Sequence, residues 1–181
     1  TKLDVNFYLI PNNSLPDLAE GVIKKPEPAN NSHVYSDSLN YRKEAGLCDD
    51  QLGGLSRERV FFFDLDVLIT GNLDELFDYP DGDNFYIIND WNTRGNHVGQ
   101  ASCYSFVVGK LGQIKDYFEA NSENVINNFG TASQEYLSDQ VKKLFGSLHF
   151  WPEEWFKSFK FHCLPVWYLR RFVVPAKPRA G

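Results

Sequence analysis

The sequence predicts an α/β fold built on a central, largely parallel sheet, and three observations carry that reading. The run Val60-Phe61-Phe62-Phe63 is too uniformly apolar for a strand with one wet face and suits one covered on both sides. Apolar positions at helical spacing mark Ile114, Phe118, Val125 and Ile126, then Leu137, Val141 and Leu144. These helical stretches alternate with short apolar runs, the pattern of strands joined by helices.

In chain order, Val5 to Ile10 reads as a short strand closed by Pro11 and Asn12. Residues 11–40, crowded with Pro, Asn and Ser, read as a long surface connection, a length usually functional or mobile in a compact domain. Tyr41 to Leu47 forms a short helix leading to the Phe61 strand. After Asp64 and Asp66, Val67 to Thr70 continue apolar as a second short strand and Gly71 breaks it. Asn72 then caps a helix that has Asp74 and Glu75 in its first turn. Phe85 to Ile88 and Tyr104 to Val108 are further strands, separated by the polar loop 89–101. Leu111 to Phe129 is a broken amphipathic helix. Thr131 and Gln134 resemble a capping box for the next one. Phe172 to Val174 form a last, proline-punctuated strand.

With 181 residues the chain is expected to be a single domain over 1–181, long enough for a sizeable core. Its 43% hydrophobic and 15% aromatic content argues for a packed interior. No stretch reads as a membrane span or a secretory leader. Without any methionine and opening on Thr1, it reads as a trimmed polypeptide. Cys48, Cys103 and Cys163, far apart and odd in number, read as reduced, buried thiols of a cytoplasmic protein. Strand neighbours face opposite ways, so His162 and Cys163 do not form a zinc pair.

A net charge of −6 argues against nucleic acid as partner. The charge is uneven. The aromatic-rich segment 150–181 carries six basic residues (Lys157, Lys160, Arg170, Arg171, Lys177 and Arg179) against Glu153 and Glu154, hence +4. The rest has 12 basic and 22 acidic residues, hence −10. Such a strip suits a donor diphosphate, a lipid-linked anionic acceptor or an anionic membrane surface, which places the protein in the cytoplasm or peripheral to an inner membrane.

The chemistry centres on Asp64 and Asp66. Ligands of open α/β sheets collect beyond the carboxyl ends of the strands. Two carboxylates spaced by two at such an end project to one face and offer hard oxygen donors to a divalent cation bridging to a phosphate. A lone Asp-x-Asp also arises from the turn preference of aspartate, so the motif needs support.

That support comes from a family resemblance. The run FFFDLDVLITGNLDELFD (61–78) resembles the Asp-x-Asp segment of nucleotide-sugar glycosyltransferases of the GT-A fold, and in particular a bacterial group of them. The likeness continues in order through NDWNTRGNHVGQASCYSFVVG (89–109), EYLSDQ (135–140) and FWPEEWFKSFKFHCLP (150–165), covering about residues 40–165. It implies a GT-A-like, Rossmann-like domain with a mostly parallel sheet flanked by helices. It also implies Mn²⁺- or Mg²⁺-dependent transfer of a sugar from a nucleotide-diphosphate donor to a glycan or lipid-linked acceptor. In that reading Asp66 is the leading metal ligand, and Asp64 holds the ribose or a metal-bound water. Arg42, Lys43 and Lys160 are candidates for the diphosphate. Asp139 and Gln140 face the donor sugar, with Asp139 as acceptor base or hydroxyl ligand. Asp90, Trp91 and Asn92 would meet the acceptor, Trp91 as a stacking platform. Trp151, Trp155 and Phe159 read as packing residues, and His97 and His149 have no assigned role.

The sequence also departs from the family. The front is shorter than the family's base-binding unit, and no Phe-His-Gly-like segment follows before Gly181, so the chain reads as short at both ends. Two rival readings stand beside it. A haloacid-dehalogenase-like phosphatase shares Asp-x-Asp after a buried strand, but its motif lies near the N-terminus and needs a later acidic pair. A non-catalytic sugar-nucleotide-binding scaffold is the other.

Overall fold

A computed structural model of the chain describes residues 6–9, 22–24, 32–36, 39–92 and 97–176. They group into two compact units, one drawn from residues 1–59 and 107–133, the other from 60–106 and 134–181.

In the first unit, β1 (Phe7–Leu9) pairs in parallel with β2 (Val22–Lys24), and a short helix α1 (Ser32–Ser36) follows. The stretch expected as bare connection thus contains two short elements; the rest of 11–40 lies largely outside the described residues. The helix expected at Tyr41–Leu47 is present as a wide helical turn, Arg42–Gly46. The long helix α3 (Gly112–Phe129) is broken at Asn121 (φ −134°, ψ 27°), as its interrupted periodicity predicts. Phe118 is the hub of this unit. Its ring stacks on Tyr41 at 4.6 Å and tilts against Tyr35 at 5.2 Å. Beside it Lys115 Nζ lies 2.6 Å from Asp49 Oδ2. Glu44 is buried, with one carboxylate oxygen, Oε2, lacking a hydrogen-bond partner among the described residues.

The second unit holds most of the main sheet. Its strands β3 (Arg59–Phe63), β4 (Tyr86–Asn89), β5 (Gly99–Val107) and β6 (His149–Phe150) lie in the order β3-β5-β4-β6. β4 is antiparallel to β5 and parallel to β6. Backbone bonds at the two ends of β3, from Val108 to the Glu58 carbonyl and from Asp64 to the Ser102 carbonyl, advance in opposite chain directions, so β3 is antiparallel to β5 as well. The sheet is therefore mixed, not mostly parallel as expected. The reason lies in the connections: α2 (Asp74–Asp78) is a five-residue helix, and about nine residues, 90–98, separate β4 from β5, fewer than a parallel crossover needs, so that pair is antiparallel.

The three phenylalanines are also not in the middle of the sheet. β3 stands at one end of the strand order and its residues are only partly buried. Both its faces are nevertheless apolar. Phe61 meets Phe77 edge-on at 4.9 Å on one side, and Phe62 stacks on Tyr104 at 4.8 Å on the other. The strand buried along most of its length is β5, from Cys103 to Val107. Trp151 packs with Tyr86, Ile88, Cys103 and Leu76, and its indole N–H donates to the Cys103 carbonyl.

Other expectations need correction. Val67 to Thr70 form no strand, and Leu68 and Ile69 are exposed. Phe172 to Val174 form no strand, because the Phe172 and Val173 amides bond locally to the Leu169 carbonyl. Phe159 is exposed and not a packing residue, unlike buried Trp151 and half-buried Trp155. His162 and Cys163 sit on a helical turn (Phe159–Cys163), not on a strand. All three cysteines are free and buried, as predicted. The helix expected after Thr131 is α4 (Ser133–Phe145). Gln134 does not close a capping box: its Oε1 accepts from the Ala101 amide instead. Asn72 is not the cap of α2 either: Leu73 holds that position without a side-chain bond, and the Asn72 side-chain oxygen accepts from the Asp74 amide at 3.0 Å in a turn just before the helix.

Candidate functional site

Because β3, β4 and β6 run in one direction and β5 against them, the carboxyl ends of three strands share one edge of the sheet. Two of the segments expected to carry function leave from that edge, and the start of β5 lies between them. The Ser102 carbonyl accepts from the Asp64 amide at 2.9 Å, and the Val98 carbonyl accepts from the Asp90 amide at 3.0 Å. Residues 98–102 thus tie the Asp64 segment to the Asp90 segment.

The acid pair is not arranged as alternating strand residues. The Val67 amide donates to the Asp64 carbonyl at 3.1 Å, so residues 64–67 make a β-turn with the two aspartates at its first and third positions. Strand geometry ends at Phe63, where the pleat gives way to this turn. Asp64 Oδ1 accepts from the Leu65 amide at 3.0 Å. Asp66 is exposed, without an ion pair or side-chain hydrogen bond among the described residues.

Beyond β4, Asp90 is buried and its Oδ1 accepts from the Asn92 amide at 3.1 Å, a local turn that shapes the loop. Residues 93–96 lie outside the described residues. Asn92 is exposed; Trp91 is half-buried, its ring meeting the His162 ring edge-on at 5.8 Å. Asn89, which sequence reasoning passed over, donates through Nδ2 to Glu153 Oε1 at 3.5 Å, and its Oδ1 is buried without a partner among the described residues. Only the start of the NDWN block hinted at it.

Helix α4 is fixed to the same edge by Ser138, whose hydroxyl accepts from the Gly99 amide at 2.8 Å and donates to the Gln134 carbonyl. Gly99 pairs with Asn89 in the sheet, so Asp139 and Gln140 follow a residue anchored beside the Asn89–Asp90 loop. The Gln140 amide donates to Asp139 Oδ2 at 3.1 Å, and Lys143 Nζ lies 2.6 Å from the same oxygen. Lys143 thus brings a cation to Asp139, visible in the sequence only as its i+4 partner.

Lys160 is exposed on the turn that carries His162, its ammonium 5.2 Å from the centre of the Phe161 ring. Arg42 and Lys43 belong to the other compact unit, where Lys43 lies 3.3 Å from Glu44.

No protein-family model, curated protein or solved structure matches the chain.

The donor set fits a hard cation that shares its coordination with a ligand. Magnesium and manganese are commonly held by one or two carboxylates, with phosphates and water completing the shell. Asp66 offers an unengaged carboxylate and Asp64 a second one a turn away. Among the described residues no three His, Cys, Asp or Glu side chains gather into a cage, so the remaining ligands would come from substrate and solvent. The Asn89 oxygen, without a partner among the described residues, adds a buried acceptor for a hydroxyl donor, because a buried polar atom without a hydrogen bond costs about 1–3 kcal/mol.

Proposed function

We propose that this chain is a metal-dependent glycosyltransferase that moves a sugar from a nucleotide-diphosphate donor to a glycan or lipid-linked acceptor. The observation that carries the reading is the convergence at one sheet edge of the Asp64–Asp66 turn, the Asn89–Asn92 loop and the anchored start of β5, with Asp139 and Gln140 beside them. These are the segments whose sequences resemble the glycosyltransferase blocks, and they are distant in sequence.

In this reading Asp66 and Asp64 hold Mn²⁺ or Mg²⁺, which when bound offsets the charge growing on the departing diphosphate. Asp64 is positioned by the Leu65 amide, so its carboxylate enters the site already oriented. Lys143 and Lys160 are the cations of the same compact unit best suited to the diphosphate, as fixed or approaching positive charge. Asp139 receives the proton of the acceptor hydroxyl or orients that hydroxyl; to do the first it must exchange Lys143 for the substrate. That exchange costs little, because the pair is substantially exposed and such pairs contribute roughly 0–1 kcal/mol. Asn89 and Asp90 accept hydrogen bonds from sugar hydroxyls, and Trp91 offers an aromatic edge for a ring. Work at this edge takes place in the cytoplasm, against a soluble or lipid-linked acceptor.

The test is binding of UDP- and GDP-sugars with and without Mn²⁺, followed by nucleotide release on addition of acceptor glycans. Metal-dependent donor binding supports the reading. Phosphate release from a simple ester would favour hydrolysis, and the absence of both would leave a scaffold.

A further inference from the structure

Residues Cys163 to Ala176 make a closed excursion from the second unit. The Ala176 amide donates to the Cys163 carbonyl at 2.9 Å, joining the ends of the loop, and Cys163 is buried as its anchor. Inside, the backbone bonds to itself. Leu169 donates to Val166, Arg170 to Trp167, and both Phe172 and Val173 to Leu169, while the Arg170 side chain donates to the Pro165 carbonyl. Such a loop ordinarily packs with its own apolar side chains turned inward. Here they are outward: Trp167 is 78% exposed, Phe172 83% and Val174 85%, with Val166 and Tyr168 also exposed. Adjoining it, Phe159 and Phe161 are exposed around Lys160.

A contiguous run of this kind is more apolar surface than a monomer in water normally leaves uncovered. Its charge names the occupant. From Lys157 to Ala176 there are four basic residues (Lys157, Lys160, Arg170 and Arg171) and no acidic one, in a chain of net charge −6. Aromatic side chains interleaved with arginine and lysine suit the boundary between headgroups and acyl chains, where rings enter and cations meet phosphate. Single-stranded nucleic acid also takes aromatics and arginine, but aliphatic Val166, Leu169, Val173 and Val174 give bases nothing to stack on.

We propose that the Cys163–Ala176 loop, with the neighbouring Phe159–Phe161 turn, is a membrane-docking surface that inserts Trp167, Phe172 and Val174 into the interface of an anionic bilayer. It attaches the protein peripherally, since no helix among the described residues is long and apolar enough to cross a membrane. The inference is independent of the transferase reading, which can fail while this one stands.

The experiment is co-sedimentation of the whole chain with phosphatidylcholine vesicles, with and without phosphatidylglycerol, at low and high salt. Binding is expected only to the anionic vesicles and is expected to fall at high salt. Arg170→Gln with Arg171→Gln should weaken it about 30-fold, the loss of two basic contacts. Trp167→Ser with Phe172→Ser should weaken it by at least about tenfold, through lost apolar burial. Both pairs of positions are exposed, and the one bond lost, from the Arg170 side chain to the Pro165 carbonyl, lies at the surface, so thermal melting should stay within a few degrees of the parent. Equal binding to neutral vesicles, no binding to either, or indifference to both variants overturns the proposal. So does a dimer in gel filtration that the same variants dissolve, or tighter binding to single-stranded RNA than to the vesicles.

Discussion

The Gly99 amide and the Ser138 hydroxyl, both buried, meet at 2.8 Å and join α4 to the end of the sheet where the acidic loops leave. Ser138→Ala removes that acceptor and leaves a buried amide without a partner. It should cost about 1–3 kcal/mol, read as a lower urea midpoint at unchanged slope. If the site reading holds, it also reduces transfer more than donor binding, because the displaced residues are Asp139 and Gln140.

Gly99 itself admits no side chain. A Cβ there would press on Cδ1, Cγ2 and Cγ1 of buried Ile87, at 2.5, 2.8 and 2.9 Å, and valine lacks the first of these. Gly99→Ala should therefore destabilise by about 1–3 kcal/mol through overpacking. Combining it with Ile87→Val should recover part of the loss, which a double-mutant cycle in urea would measure.

Much of this edge was legible in the sequence, and what was not has identifiable causes. The break at Asn121 and the buried cysteines followed from local rules, and the structure bears them out; the helix after Asn72 also forms, but with Leu73 and not Asn72 at its cap. The identity of the central strand did not. Phe61, Phe62 and Phe63 read as doubly covered because both faces are apolar, yet aromatic rings of that size reach neighbours on either side from the end of the sheet. Strand direction was hidden in residues 90–98, a polar stretch too short for the crossover that a parallel pair needs. The turn at Asp64–Val67 was missed because apolar Leu65, Val67 and Leu68 continue the strand pattern, although Leu65 is 95% exposed.

Stability should depend on pH through two carboxylates of opposite sign. Burial alone would raise Asp49, but the Lys115 ammonium and the Leu52 and Gln51 amides outweigh it and hold its carboxyl below the usual range. Its contribution is therefore present above the ordinary carboxylate value of about 3.9 and lost as pH falls through that value and then the folded one. Lys115→Ala should cost about 1–3 kcal/mol at neutral pH and far less in acid.

Glu44 behaves in reverse. Burial raises its carboxyl despite the Lys43 ammonium beside it. The folded state then holds this proton more tightly than the unfolded chain, and stability from this group is lost as pH rises from the ordinary glutamate value through the raised one. Glu44→Gln should gain stability relative to the parent at pH 7 and show little or no gain near pH 4. Thermal melts at the two values check the sign.

The central claim concerns the turn that follows β3, and donor binding tests it most directly. Titration of the parent chain with UDP- and GDP-sugars in the presence and absence of Mn²⁺ should show affinity for at least one of them that requires the metal. In Asp64→Asn with Asp66→Asn that metal dependence should vanish while the melting temperature stays put. Retention of the full metal-dependent affinity by the double variant would contradict the account.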